Sequence, residues 1–369
     1  MNKHLLLILL CCNILIFCNQ PKKDQQTANT ESSRLHLENE NAGLVIDRDG
    51  GAYVNFYVKE DSINPLTWSL TSEQMPENNR DGAPFQGHFL CLGRWGAPTP
   101  GEIEMGVPHN GEATNSMWTI DSISASKLVM SHESTLDDLE IVREVEFIGN
   151  EALFRVTERV RNTNTVGRLN NIVQHVTLGP PFLSTSTLVF SNAGPGFFQD
   201  HSYPNPYRWE YEWPVAKDSL GNEYDLQRSD IDYNYVSTHL VEDSVGWIAA
   251  WNPDRKILLG YVWHKDDYPW VNVWNHMNAG KPVAKGLEFG TTGIGKPYQD
   301  LLAVNTRFYG HNSFEFLDAG EEVEKSFYGF LTTIETDIQG IISVTINDNE
   351  ILLELLHNGN ILQKGLELQ

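Results

Sequence analysis

An all-β, antiparallel fold, a sandwich or barrel, is what this sequence predicts, and three observations predict it. From about Leu35 to Ile334 the chain runs in short segments where apolar and polar residues alternate, the period-two signature of strands with one face buried. Turn-forming residues punctuate these segments, as in Ile148-Gly-Asn-Glu151 between two alternating runs, which reads as a hairpin turn. No apolar stripe at helical spacing reaches convincing length, so strand follows strand without the crossover helices that a parallel sheet needs.

Taken in order, the chain begins with Met1-Asn-Lys3-His4 and an apolar run from Leu5 to Phe17. That basic start and short run read as an export signal and not as part of the fold. The run ends in Leu15-Ile-Phe-Cys18, similar to a bacterial lipobox whose Cys becomes the lipidated first residue, although Phe17 stands at a small-residue position. Residues 1–18 are therefore read as signal peptide and lipobox, with Cys18 lipidated in the periplasm or outer membrane. Cys11 and Cys12 leave with the signal, so only Cys91 of the four cysteines remains in the folded part and no intramolecular disulfide framework is available. Residues 19–34 are polar and aperiodic, as expected of a tether.

The alternating runs then define one domain over 35–336: Ala52–Val58, Lys127–Met130, Leu139–Phe147 and Ala152–Val160 are its clearest strands. The segment 191–235, rich in Pro, Tyr, Asn and Asp and weak in periodicity, reads as a long surface excursion of the kind that serves as a lid or binding loop. Residues 337–369 are read as a C-terminal extension of packed strands.

Composition narrows the partners. A formal charge of −23, from 49 Asp+Glu against 26 Lys+Arg, speaks against nucleic acid, whose affinity rests on cationic contacts. Ten Trp, 13 Tyr and 16 Phe supply the flat rings on which sugar faces stack, although core filling accounts for most of them. Contact with a membrane is expected through the lipid anchor only. No His-x-His, His-x-x-x-His or Glu-x-x-His spacing occurs within 35–336, although the reversed spacing does, as from His109 to Glu112, and neither a metal nor another cofactor is expected.

Three stretches hold the candidate chemistry: Val107-Pro-His109-Asn-Gly-Glu112 running to Trp118, Asn171-Ile-Val-Gln-His175, and Gly286-Leu-Glu288-Phe-Gly-Thr-Thr292. Two imidazoles and a carboxylate are suitable parts for paired acid–base work. In this order the stretches resemble the aldose 1-epimerases, the galactose mutarotase-like proteins. The resemblance extends over about 300 residues, through Phe85–Trp95, Tyr268-Pro-Trp-Val-Asn-Val-Trp274 and Leu317–Phe330. It implies a β-supersandwich whose concave face holds a mono- or oligosaccharide. It also implies Glu288 as base, His175 as acid and His109 as a sugar-binding group.

The chain departs from that pattern in places. The adjoining His-Gly of the family is here His109-Asn110-Gly111, one residue longer, which should shift the imidazole; Glu112 becomes an additional pocket candidate. The family's sugar-binding Asp or Asn falls among Asp230, Asp232 and Asn234, with no choice between them. Arg94 and Arg143 could anchor a charged sugar. Trp270 and Trp274 alternate with Val271 and Val273 and are candidates for a stacking platform. Beside the epimerase reading stand two others: a polysaccharide lyase or other sugar-modifying enzyme on the same fold, and a lipid-anchored glycan-binding protein without turnover.

Overall fold

The structure, a computed structural model, describes residues 33–75, 85–199, 205–303 and 307–368. The predicted signal, Cys18 and the tether up to residue 32 lie outside the described residues, and Arg34, read as the end of the tether, opens the first strand, Arg34–Glu38. Two large antiparallel sheets dominate. The first has ten strands, and its central six run in the order His88–Leu92, Ile172–Leu178, Lys281–Gly290, Trp270–Asn278, Tyr235–Val241 and Ala193–Phe198. The second has eight, centred on Ile257–His264, Glu322–Thr333, Leu153–Asn162 and Leu139–Phe147. The all-β antiparallel expectation is borne out.

Alternation explains the packing. Along Leu139–Phe147 every second residue is buried, and the strand pairs with Leu153–Asn162 through the predicted hairpin, placing Arg143 opposite Glu158 and Phe147 opposite Phe154. The core is made of inward residues from both sheets. Tyr53 meets Phe154 with ring centroids 5.7 Å apart, and Phe289 meets Tyr261 at 5.7 Å and Phe327 at 5.2 Å. Each such aromatic removes roughly 150–250 Å² from water. The outer face of the eight-stranded sheet is covered by a separate sheet, Gly340–Ile346, Glu350–His357 and Asn360–Glu367, whose Ile351, Leu353 and Leu355 share one apolar cluster with Trp247 and Trp251.

A polar seam crosses this core. Arg143 Nε donates to Glu158 Oε1 at 2.7 Å, Gln174 Nε2 donates to Glu158 Oε2 at 2.7 Å, and Gln174 Oε1 meets His88 Nε2 at 3.0 Å. Arg143 is fully buried and also donates to Gly51 O. Its proposed role as an anchor for a charged sugar is thereby corrected: its charge is consumed inside the sandwich.

The segment 191–235 also needs correction. It is no loose excursion: Ala193–Phe198 is fully buried and forms a strand of the ten-stranded sheet, followed by short strands at Tyr211–Glu212, Val215–Lys217 and Glu223–Asp225. The strand is written Ala-Gly-Pro-Gly-Phe-Phe, so glycines hide the alternation. Gly196 is required by close approach, since a Cβ there would lie 2.3 Å from Thr238 O and His239 Nδ1.

Candidate active site

The central strands of the ten-stranded sheet turn one face to the core and the other to a pocket. On Ile172–Leu178, Gln174 points inward and His175 outward; on Lys281–Gly290, Phe289 packs in the core and Glu288 lines the pocket. The register sets Phe89 beside His175 and Asn272 beside Glu288. His175 Nε2 lies 3.3 Å from Glu288 Oε1. Thus two residues more than a hundred positions apart meet because antiparallel pairing puts their strands side by side. Gly286 makes room for the carboxylate: a Cβ there would lie 2.7 Å from Glu288 Oε1 and 2.9 Å from Trp274 Cβ.

The pocket has a volume of about 300 Å³. Its walls are aromatic. Phe89 stacks on the His175 imidazole at 4.3 Å, Trp274 meets that ring edge-on at 6.2 Å, and Trp68 packs edge-on against Trp274 at 5.5 Å. Leu70, Met75, Phe85, Trp95 and Val236 extend the apolar lining. Polar groups are few: His109, Asn110, His175, Gln199 and Glu288.

These surroundings govern protonation. Glu288 is 1% exposed, and burial lifts its carboxyl well above the usual range, with the Trp95 side chain acting in the opposite sense. Its Oε2 has no hydrogen-bond partner among the described residues. His175 is pushed down to about 3, chiefly by burial and further by nearby His109; its Nδ1 meets only the Thr177 hydroxyl, at 3.0 Å. No neighbouring charge compensates either group, so a low-dielectric site favours the uncharged form of both. The two shifts run in opposite directions, one favouring a proton on Glu288 and the other an unprotonated His175.

The extra residue after His109 is absorbed locally. Asn110 adopts φ +61° and Gly111 φ +85°. Asn110 exchanges hydrogen bonds with Gly96, accepting from its N–H at 2.8 Å and donating its own N–H to the carbonyl at 3.2 Å. A Cβ on Gly111 would come within 2.1 Å of Leu92 O. This left-handed turn keeps His109 in the pocket lining and fastens it to the loop that carries Trp95.

Other sequence candidates lie elsewhere. Glu112 is buried but outside the pocket lining: it accepts the Leu136 N–H at 2.7 Å and so ties down a loop. Arg94 pairs with Glu102 and lies over the Tyr298 ring, bracing the two short helices Pro100–Glu104 and Tyr298–Ala303 instead of facing a ligand. Trp270 shares a sheet face with Trp274 but sits four residues along the strand; it is fully buried, with its indole N–H on Asn312 O and its ring near Phe308. Only Trp274 of the pair lines the pocket. Asp230 is engaged by Arg228, and Asn234 accepts the Met277 N–H; neither these nor Asp232 lines the pocket.

Gln199 and Asn110 are the polar lining residues absent from the sequence candidates, and Gln199 is the more firmly held. Its Oε1 accepts the Gly295 N–H at 3.1 Å, and its Nε2 donates to Thr238, whose hydroxyl donates to Asn272. It was hidden inside the segment read as an excursion. Trp68, Phe85, Phe89 and Trp95 were also missed, although Phe85 and Phe89, both in a quoted stretch, stand at the even spacing of one strand face.

With the geometry described, the comparisons can be placed. No family model and no curated protein sequence matches the chain. Solved structures do. A galactose mutarotase-like protein from Clostridium acetobutylicum superposes with TM-score 0.59 at 13% identity, covering 82% of this chain and 95% of that one. A galactose mutarotase related enzyme from Lactobacillus acidophilus gives TM-score 0.57 at 10% identity, over 82% and 98% of the two chains. A galactose mutarotase-like protein from Lactobacillus casei gives 0.54 at 13%, over 81% and 100%. The chain therefore has the galactose mutarotase-like fold.

Proposed function

We propose that the protein is an aldose 1-epimerase-like enzyme that interconverts the anomers of a neutral sugar. One observation carries the reading: in a pocket walled by Trp68, Trp95 and Trp274, Glu288 and His175 meet at 3.3 Å while the second carboxyl oxygen is left without a partner. Mutarotation needs a group that takes the C1 hydroxyl proton and one that gives a proton to the ring oxygen. As the C1–ring oxygen bond breaks, the C1 carbonyl forms; after rotation about C1–C2 the ring closes and both protons return.

The family resemblance implies Glu288 as base and His175 as acid. The directions of the two shifts favour the reverse, with the Glu288 carboxyl donating to the ring oxygen and His175 Nε2 accepting the C1 proton. Both assignments carry one proton on the pair, so they give the same form of pH–rate profile. An infrared carbonyl band of a protonated carboxyl, lost in Glu288→Gln, separates them. Polarimetry on freshly dissolved aldoses tests the activity itself: Glu288→Gln should lower turnover by about 10²–10⁴-fold. Wild-type protein that binds glycans but mutarotates no common aldose would transfer the conclusion to a binding protein.

Neutral substrate follows from the lining, which contains no Lys or Arg among the described residues. Arg94 and Arg143, the two anchors that the sequence offered a uronate-cleaving lyase, are both engaged elsewhere. Export and lipidation at Cys18 are proposed from the sequence. Cys18→Ser should move the protein from the membrane fraction to the soluble envelope fraction, because the described residues contain no helix long and apolar enough to cross a membrane.

A further inference from the structure

The sheet face that holds the pocket has a second depression. Ala193–Phe198 and Tyr235–Val241 serve both: Val236, and Gln199 just after the first strand, line the pocket, whereas Pro195, Leu240 and Val241 line a cavity of about 270 Å³. From Val236 to Leu240 the strand advances roughly 13 Å. The buried side chains of Phe197, Trp270, Ile294 and Phe308 form an apolar cluster with Leu240, so the two depressions are separate sites.

Tyr309 forms the aromatic wall of the second one. It is half exposed, and its backbone has φ +47°, followed by Gly310 at +82°, in a turn closed by two hydrogen bonds between Phe308 and His311. A bulky residue rarely occupies this left-handed region, and persists there when its surroundings hold it. Here they do: the Tyr207 hydroxyl accepts the Tyr309 N–H at 2.8 Å, and the Tyr309 hydroxyl donates to Glu210 at 2.8 Å. The ring is thus fixed with an exposed surface. Around it stand Glu212, Glu242, Lys265 and His311. Glu212 is raised by burial and by the nearby carboxylates of Glu242 and Glu210.

We infer that this depression is a second carbohydrate site, one that takes a neutral glycan, with the Tyr309 ring against a sugar face and Glu212, Glu242 and Lys265 on its hydroxyls. A rigid ring stacks on the C–H face of a pyranose at little entropic cost, and carboxylates accept hydrogen bonds from adjacent hydroxyls. The carboxylates repel anionic glycans. The polar rim does not suit a purely apolar ligand. The inference rests on the carbohydrate reading of the protein but not on its catalysis, and the test keeps them apart.

Affinity electrophoresis through gels containing soluble xylan, galactan, glucomannan or dextran reads the site directly. At least one polymer should retard the wild type. Tyr309→Gly should abolish that retardation while leaving the melting temperature equal or higher, since glycine suits the left-handed turn, and leaving monosaccharide turnover unchanged. Glu212→Gln should weaken retardation at least threefold. Glu288→Gln should lose turnover and keep retardation, so a failure of the epimerase reading would leave this result standing. Retardation by none of the four polymers, or retardation untouched by Tyr309→Gly, overturns the site.

Discussion

Gln174 and His175 are consecutive residues on one strand, and they belong to two polar clusters on opposite sides of one sheet. On the core side, both oxygens of Glu158 are engaged, by Arg143 and Gln174 at 2.7 Å each, and the guanidinium lies 4.5 Å from the Trp118 ring centroid. Arg143 Nη2 and His88 Nδ1 are left over, but no oxygen of the carboxylate is. On the pocket side, Glu288 has the His175 imidazole and the Trp95 side chain beside it, no countercharge, and a second oxygen without a partner among the described residues. Burial is alike in the two clusters; satisfaction is not. A polar group completed by the protein holds the fold together, whereas one left incomplete within a cavity is available to a ligand.

The strongest way to break this distinction is to remove one member of each cluster. Arg143→Met strands Glu158 without its counter-charge in the core and should cost about 3–5 kcal/mol of stability, read from urea unfolding. Glu288→Leu removes a buried carboxyl with one oxygen unsatisfied, so stability should hold or rise while any mutarotation disappears. If the two variants lost similar stability, the pocket pair would be a structural element like the seam. Next in size is Gly286→Ala. Its methyl would displace the Glu288 carboxyl, and a misplacement of about 1 Å costs on the order of 10²-fold in rate. The melting temperature should change little by comparison, and KM less than kcat.

How much of this was legible in the sequence follows the same division. Strand alternation is a local property, so the all-β class and the hairpin between Leu139–Phe147 and Leu153–Asn162 could be read directly. His109, His175, Trp274 and Glu288 do share one pocket, because each lies in a stretch with a recognisable neighbourhood. Arg94, Arg143, Glu112 and Trp270 looked equally suitable as residue types. What disqualifies them is their surroundings: Asn312, which takes the Trp270 indole N–H, comes from a distant loop, and Glu158, although it faces Arg143 across the legible hairpin, is buried with it by packing that no local pattern displays. Gln199 was lost because glycines and a proline conceal the strand that leads to it.

The comparison sharpens further with pH. Glu288 is raised in the folded chain, so the stability linked to its protonated form is present at the ordinary carboxylate value of about 4.3 and lost as pH rises through the raised value. The advantage of Glu288→Gln over wild type should therefore grow from pH 4 to pH 7. His88, in the seam, is lowered to about 3 by burial, so its contribution is present above about 6.5 and lost as pH falls. The stability of His88→Gln relative to wild type should grow in the opposite direction, from pH 6.5 toward pH 4. Parallel slopes for the two variants would mean that the pocket and the seam titrate alike.

Lys285 offers the finest test, because it lies between the two cases. It stands on the same strand as Glu288 and is fully buried, but its ammonium is surrounded by neutral oxygens: Arg228 O at 3.1 Å, Tyr235 Oη at 2.9 Å and Asn275 Oδ1 at 3.3 Å. Hydrogen bonds are satisfied while charge is not, and burial lowers it to about 7 against the mild opposing pull of Asp225 and Asp230. A folded value below the unfolded one of about 10.4 means that the unfolded chain binds the extra proton between those limits, so stability should rise with pH from 7 toward 10. Above 10 the buried tyrosines reverse the slope: Tyr235 is raised by burial, and the unfolded chain then loses protons that the folded one keeps. Lys285→Met should flatten the rise between pH 7 and 10 in a series of chemical unfolding curves. A slope unchanged by that substitution would show that hydrogen bonding to neutral oxygens is enough to hold a buried charge at its ordinary value, and satisfaction alone would then separate the seam from the pocket.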